Sequence, residues 1–252
     1  MKRARTALLA SMFVSLLLVA CGHKRPNETG ASTEPAQRSS PMTSNNPSIS
    51  SARIVGPVNY VALGDSTGAG VGAREGGYVA RLFKRIDALR PDSRLTNLCV
   101  SGATTSDVLR NQLPKALRDD VNLVTLGIGI NDVGHGFSVE QFSKNYEEIL
   151  SRLRQSTRAT IVVTNIPDIS SAPRIPEIIR EEYQRSIVEF NQRLEEIAAR
   201  HGVIVFDVHT TTREQLPLHP EFFSADGFHP SDAGYEFWAE KMWPTVAGAI
   251  GE

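Results

Sequence analysis

The sequence predicts an α/β domain, a parallel sheet of about five strands with helices on both faces. Two observations predict it. Apolar, β-branched runs recur at Tyr60–Leu63, Leu95–Val100, Val121–Ile128, Thr160–Ile166 and Val203–Val208. Between them apolar residues return at helical spacing: Val79, Leu82, Phe83 and Ile86 share one face, as do Phe142, Tyr146, Ile149 and Leu153, and Ile187, Phe190, Leu194 and Ile197. Strands separated by helices imply a parallel sheet covered on both sides. A last helix is expected from Ser231, a good cap, carrying Phe237, Trp238, Met242 and Trp243.

The chain before the first strand is of another kind. Lys2, Arg3 and Arg5 precede an apolar run from Ala7 to Ala20, then Cys21. About 20 apolar residues are needed to span a bilayer, so residues 1–20 read as an export signal. Leu18-Val19-Ala20-Cys21 resembles the lipobox of bacterial lipoproteins, in which the signal is removed before a cysteine that carries lipid. The resemblance implies lipidation of Cys21, attachment to a membrane and a place in the cell envelope, outside the cytoplasm. The bland reading is an ordinary signal peptide that happens to end near a cysteine. Residues 22–52 are rich in Ser, Pro, Asn, Thr and Gly and nearly devoid of large apolar side chains. They cannot bury enough surface to order themselves, so residues 21–52 read as a tether. As a flexible coil it would reach roughly 30 Å.

Residues 53–252 suit one domain with a sizeable core. The chain holds 27 Lys+Arg and 28 Asp+Glu; residues 1–52 take six and two of these, leaving the domain 21 against 26. A net −5 with no basic stripe argues against nucleic acid. With Cys21 assigned to the anchor, Cys99 stands alone, so the domain has no internal disulfide. Cys99 lies in an apolar stretch and reads as a small buried residue.

Chemistry enters at the strand ends, where ligands bind in parallel sheets. Ser66 follows the first strand in Gly64-Asp65-Ser66-Thr67-Gly68. A serine on such a tight turn exposes its hydroxyl, as a nucleophile must. Ser101-Gly102-Ala103 follows the second strand and Gly129-Ile130-Asn131-Asp132 the third. Asp226-Gly227-Phe228-His229-Pro230 stands between the fifth strand and the last helix. Histidine can take and return the Ser66 proton near neutral pH, and Asp226 can hold the ring's other nitrogen. The backbone N–H groups of Ser66 and Gly102 and the Asn131 amide are candidate oxyanion donors.

This ordered set resembles the SGNH, or GDSL, hydrolases, whose four letters correspond here to Ser66, Gly102, Asn131 and His229. The resemblance spans Gly64 to Pro230 and implies a flavodoxin-like α/β/α sandwich, a serine mechanism through an acyl-enzyme, ester substrates and no cofactor or metal. Thr67 stands where the family name expects Leu. The family's range, from lipases and lysophospholipases to O-acetylesterases, leaves the substrate open: a small-molecule or lipid ester.

Rival readings remain at this stage. Each residue alone fits a turn or cap. The Gly-x-Ser-x-Gly string also fits the elbow of α/β-hydrolases, although only about ten residues of domain precede it. Ser66–Gly70 after a first strand could cradle the phosphate of FMN, which leaves Asn131, Asp226 and His229 without work. The domain could also be a catalytically inactive binding lipoprotein. Asp226 and His229 could share a metal, but no third ligand is visible. His135 reads as a loop residue, His201, His209 and His219 as surface or turn residues, and Asp65, Asp132 and Asp207 as structural. The segment 165–180, with Ile169 and Ile175 among its prolines, is expected at the rim near Ser66 either as a wall of an acyl pocket or as packing on the sheet.

Overall fold

The computed structural model describes residues 54–252. The expected signal peptide, Cys21 and tether lie outside the described residues. In chain order the elements are β1 (Asn59–Gly64), α1 (Ser66–Ala69), α2 (Tyr78–Leu89), β2 (Arg94–Asn97) and α3 (Thr105–Asp107). A π-helical turn, Val108–Gln112, leads into α4 (Leu113–Ala116), then β3 (Leu123–Gly127), α5 (Ile130–Gly134), α6 (Val139–Ser156) and β4 (Thr160–Thr164). A 3-10 turn (Glu177–Ile179) precedes α7 (Arg180–His201), then β5 (Ile204–Phe206) and α8 (Val208–Gln215). A second 3-10 turn (Pro220–Phe222) comes before α9 (Asp232–Ala249). Among the described residues, no helix is long and apolar enough to cross a membrane.

The five strands form one parallel sheet in the order β2-β1-β3-β4-β5. This is the doubly wound order whose direction reverses between β1 and β3, where such sheets open a crevice for ligands. Two apolar cores sandwich the sheet. Leu63, Val124, Leu126, Ile161 and Val163 point to one face, where α6 and α7 bring Phe142, Tyr146, Ile187, Phe190 and Leu194. Tyr60, Ala62, Leu123 and Val162 point to the other, met by Val79, Leu82 and Ile86 of α2 and Trp238 and Met242 of α9. The alternation along each strand is why the sequence shows near-continuous apolar runs.

After β1, each strand ends sooner than its apolar run. β2 stops at Asn97, three residues before Val100, because Asn97 Oδ1 turns back to accept the Cys99 N–H at 3.1 Å. The chain still leans on β1: the N–H groups of Leu98 and Val100 donate to the carbonyls of Ala62 and Gly64 at 2.8 and 3.1 Å. The last helix begins where expected, with Ser231 Oγ accepting the Gly234 N–H at 3.2 Å.

Candidate active site

The turn after β1 is built from its own side chains. Asp65 caps α1, its Oδ1 accepting the Thr67 N–H at 2.9 Å and the Thr67 hydroxyl at 2.8 Å. Ser66 is therefore the first helical residue, and its N–H has no partner within the helix to use. Below, Cys99 Sγ fills the space beside Gly64 and Gly68; a Cβ placed on Gly68 would lie 2.4 Å from it. Burial pushes the Cys99 thiol well above its ordinary range, as expected of packing rather than reactivity. Asp65 is only 3% exposed. Burial pushes its carboxyl up to about 6, against the opposing pull of the Thr67 hydrogen bonds and the charge of His229.

Two side chains hold neighbouring loops to this turn. Gln112 behaves as a piece of backbone: its Oε1 accepts the Gly64 N–H at 2.9 Å and its Nε2 donates to the Gly64 carbonyl at 2.8 Å. Asp132, fully buried, accepts the Thr105 N–H at 3.0 Å and the Thr105 hydroxyl. Asn145 of α6 donates to Thr105 Oγ1 at 2.9 Å. The loops that carry Gly102 and Asn131 are thus locked together from beneath. Asn131 Nδ2 donates to the Ala103 carbonyl at 2.9 Å. An amide has two such hydrogens, so one remains available. Gly102 sits at φ +78°, and a Cβ there would meet nothing within 4 Å. The conformation favours glycine, while the space above it is open.

The Asp226–His229 loop is a tight, fully bonded turn. Asp226 Oδ2 lies 2.6 Å from His229 Nδ1. Asp226 Oδ1 accepts the Ser224 hydroxyl at 2.8 Å and the N–H groups of Phe228 and His229 at 2.8 and 2.9 Å. Burial alone would raise the Asp226 carboxyl, but these bonds outweigh it and hold it well below the ordinary range. It therefore stays ionised and directs an N–H from Nδ1 toward itself, leaving Nε2 free to accept. The loop is clamped from two sides. The Arg174 N–H donates to the Gly227 carbonyl at 3.0 Å, and Gly72 approaches so closely that a Cβ there would stand 3.0 Å from His229 Cβ.

Ser66 and His229 line the same apolar slot, a cavity of about 50 Å³. Pro167 and Ile169, Thr211 and Thr212 of α8, Leu216 just after it, and the aromatic rings of Phe206, Phe223, Phe228 and Trp238 form its walls. Among the described residues, no hydrogen bond joins Ser66 Oγ to His229. In the loop expected at the rim, Ile169 and Ile175 both pack into the core on the α6–α7 face, and Ile169 also lines the slot.

The remaining acidic and basic residues occupy structural places. Asp207 caps α8 by accepting the Thr210 N–H at 3.0 Å and also accepts from Asn165 at 2.9 Å. His135 is exposed. His219 pairs with Glu221 at 2.9 Å and His201 with Glu147 at 2.6 Å. His209 departs from a surface reading, since its Nε2 is buried without a partner. Sequence reasoning did not single out Gln112 or Thr105, and it named Trp238 only as an apolar residue of the last helix. Only Thr105 had a local signal, the capping box Thr104-x-x-Asp107 in which it lies.

Residues 62–237 match the family model of the GDSL-like Lipase/Acylhydrolase family. The chain is 27% identical over 215 residues to the spore germination lipase LipC of Bacillus licheniformis, covering 73% of this chain and 94% of the relative. It is 25% identical over 195 residues to Esterase TesA of Pseudomonas aeruginosa, covering 74% and 86%. Among solved structures it resembles a lipase/acylhydrolase from Enterococcus faecalis, with a TM-score of 0.59 at 23% identity over 76% of this chain and 96% of that one. It also resembles an acetylxylan esterase from Geobacillus stearothermophilus, with a TM-score of 0.62 at 19% identity over 79% and 97%. At these identities the structural likenesses bear on the fold.

Proposed function

The chain belongs to the GDSL-like Lipase/Acylhydrolase family and hydrolyses carboxylic esters, and from that premise we propose that Ser66, His229 and Asp226 carry the reaction. The observation that carries the assignment is the Asp226–His229 pair, 2.6 Å apart, opening on the slot that Ser66 also lines. Ser66 Oγ attacks the ester carbonyl while His229 Nε2 takes its proton. Asp226 keeps the ring in the tautomer that allows this and stabilises the imidazolium. The N–H groups of Ser66 and Gly102 and the second amide hydrogen of Asn131 receive the developing oxyanion, each such donor being worth about 2.7–4 kcal/mol. His229 then returns the proton to the leaving alcohol, and water releases the acyl group by the same route.

The apolar slot supports esters with an apolar arm over acetylated sugars, whose hydroxyls would find few partners there. An FMN phosphate at α1 is disfavoured: that helix is four residues long, and its N-terminus already holds the Asp65 carboxyl. Ser66→Ala should abolish ester hydrolysis and fluorophosphonate labelling while the melting temperature stays near wild type. Wild-type turnover in that variant would overturn the mechanism.

We also propose that the protein is an envelope lipoprotein held by lipid on Cys21. The lipobox-like Leu18–Cys21 and the tether composition after it support this reading. The full chain should partition into detergent and Cys21→Ser should not; mature protein with an unmodified Cys21 would refute it.

A further inference from the structure

We infer that Tyr235 and Asp232, on the first turns of α9, are positioning residues for the reaction: they pin loop 70–77 as a spacer that sets the approach of His229 Nε2 to Ser66 Oγ. The inference deepens the esterase reading and rests on it.

Two consecutive residues of this loop reach from the nucleophile to the base. The Val71 N–H donates to the Ser66 carbonyl at 3.0 Å. Gly72, at φ +94°, lies against the other partner: a Cβ there would stand 2.7 Å from the Pro230 carbonyl oxygen and 3.0 Å from His229 Cβ. Whatever holds Val71 and Gly72 therefore acts on the separation of Ser66 from His229. Both holds come from α9, which starts three residues after His229. The Tyr235 hydroxyl, on a fully buried side chain, donates to the Val71 carbonyl at 2.9 Å and lies 3.5 Å from the Ser66 carbonyl oxygen. Asp232 Oδ1 accepts the Glu75 N–H at 3.0 Å and the Arg74 N–H at 3.2 Å. Arg81 of α2, only 9% exposed, donates to the same oxygen at 2.8 Å and keeps that carboxylate in place. The stems of the loop touch, since a Cβ on Gly70 would lie 2.4 Å from the Gly77 nitrogen. A loop closed at its base and bonded at its far side passes a displacement on to what it packs against, here the His229 turn. The bonds that orient the His229 ring come from Asp226 and involve no residue of the loop. The ring would keep its tautomer while its distance from Ser66 changed. Proton transfer needs hydrogen-bond reach, about 2.6–3.2 Å, and a misplacement of about 1 Å can cost about 10²-fold in rate.

The test measures p-nitrophenyl ester hydrolysis by the full chain, well below the melting temperature of each variant. Tyr235→Phe removes one hydroxyl and keeps the ring; Asp232→Ala removes the other hold. Each should lower kcat by about tenfold with KM within about twofold of wild type, because the approach of the base matters in the transition state and not in substrate binding. Acylation and deacylation both pass through His229, so kcat reports the effect whichever step is slower. Asp232→Asn keeps an oxygen for the loop N–H groups and should bring kcat back to within about threefold of wild type. A second measurement separates positioning from general loosening. Variants lacking a triad member keep some hydrolysis from the oxyanion hole and binding. In a His229→Ala background there is no ring left to place, so Tyr235→Phe should change that residual single-turnover rate by less than about twofold. Wild-type kcat in both Tyr235→Phe and Asp232→Ala overturns the inference, as does an effect confined to KM. An equal loss from Tyr235→Phe with and without His229 overturns it too. If Asp232→Ala fails to fold, Tyr235→Phe and its cycle with His229→Ala decide alone. Failure of the esterase reading itself would show separately, as hydrolysis that persists in Ser66→Ala.

Discussion

Gly68→Ala should destabilise the protein through a single atom, Cys99 Sγ. A Cβ at Gly68 would stand 2.4 Å from that sulfur, 3.1 Å from Cys99 Cβ and 3.4 Å from Val79 Cγ2. The backbone at Gly68 is ordinary helix, so the obstacle is steric and not conformational. Forcing a methyl into a packed site costs about 1–3 kcal/mol. In a domain of this size each kcal/mol lowers the melting temperature by about 2–4 °C, so a fall of about 2–12 °C is expected. Because α1 carries Ser66, kcat should fall as well. Cys99→Ala removes the sulfur and leaves 3.1 Å as the nearest approach. The double variant Gly68→Ala/Cys99→Ala should therefore regain most of the lost stability and activity, with a coupling of about 0.5–3 kcal/mol between the two sites. Denaturation curves and kcat/KM for the four proteins of the cycle measure this. An equal loss from Gly68→Ala in both backgrounds would refute the packing described beneath the serine.

Two other expectations follow from the same structure. Asp65 holds its proton more tightly folded, at about 6, than at the ordinary 3.8. Its protonated form therefore favours the fold below about pH 4, and that advantage is lost as pH rises through about 6. Asp65→Asn keeps an acceptor for Thr67 and does not ionise, so its stability relative to wild type should climb by up to about 3 kcal/mol between pH 4 and 7; urea denaturation showing a constant gap across this range would contradict the burial argument. Ile169→Ala and Ile175→Ala, both in the core, should each lower stability by about 2–5 kcal/mol, but only Ile169→Ala, which also lines the slot, should alter acyl-length preference; a common loss at every chain length in both variants would remove Ile169 from the slot wall.

The order and class of the elements were legible because a two-sided parallel sheet writes itself as apolar runs separated by amphipathic helices. The candidate site residues came from short local patterns: Gly64–Ser66 and Gly129–Asp132 follow strand ends, and Asp226–His229 stands just before the last helix. The strand ends themselves were not, since apolar residues continue past Asn97 to half-buried Leu98 and exposed Val100, and past Thr164 to buried Ile166, and periodicity cannot separate such loops from strand. Gln112 was hidden for another reason. Its amide substitutes for backbone at Gly64, forty-eight residues away, and nothing near Gln112 marks that use. Apart from the 165–180 segment, the slot had no local signature. Phe206, Phe223 and Trp238 come from a strand end, a turn and a helix, and only the fold makes them neighbours.

That separation gives the enzyme two parts free to change at different rates. The loops that carry Gly102 and Asn131 are locked by Asp132, Thr105 and Asn145, none of which borders the slot. Much of the outer wall comes from α8 and the chain after it, inserted between β5 and the Asp226 turn. Thr211, Gln215 and Leu216 can be exchanged there without touching the Asp226–His229 turn. Thr212 is the exception, because its hydroxyl accepts the Asp168 N–H at 2.8 Å and pins the opposite wall. Selection for a new ester would thus be expected to accumulate substitutions along α8 while sparing Thr212, so that substrate range drifts and the reaction chemistry stays put.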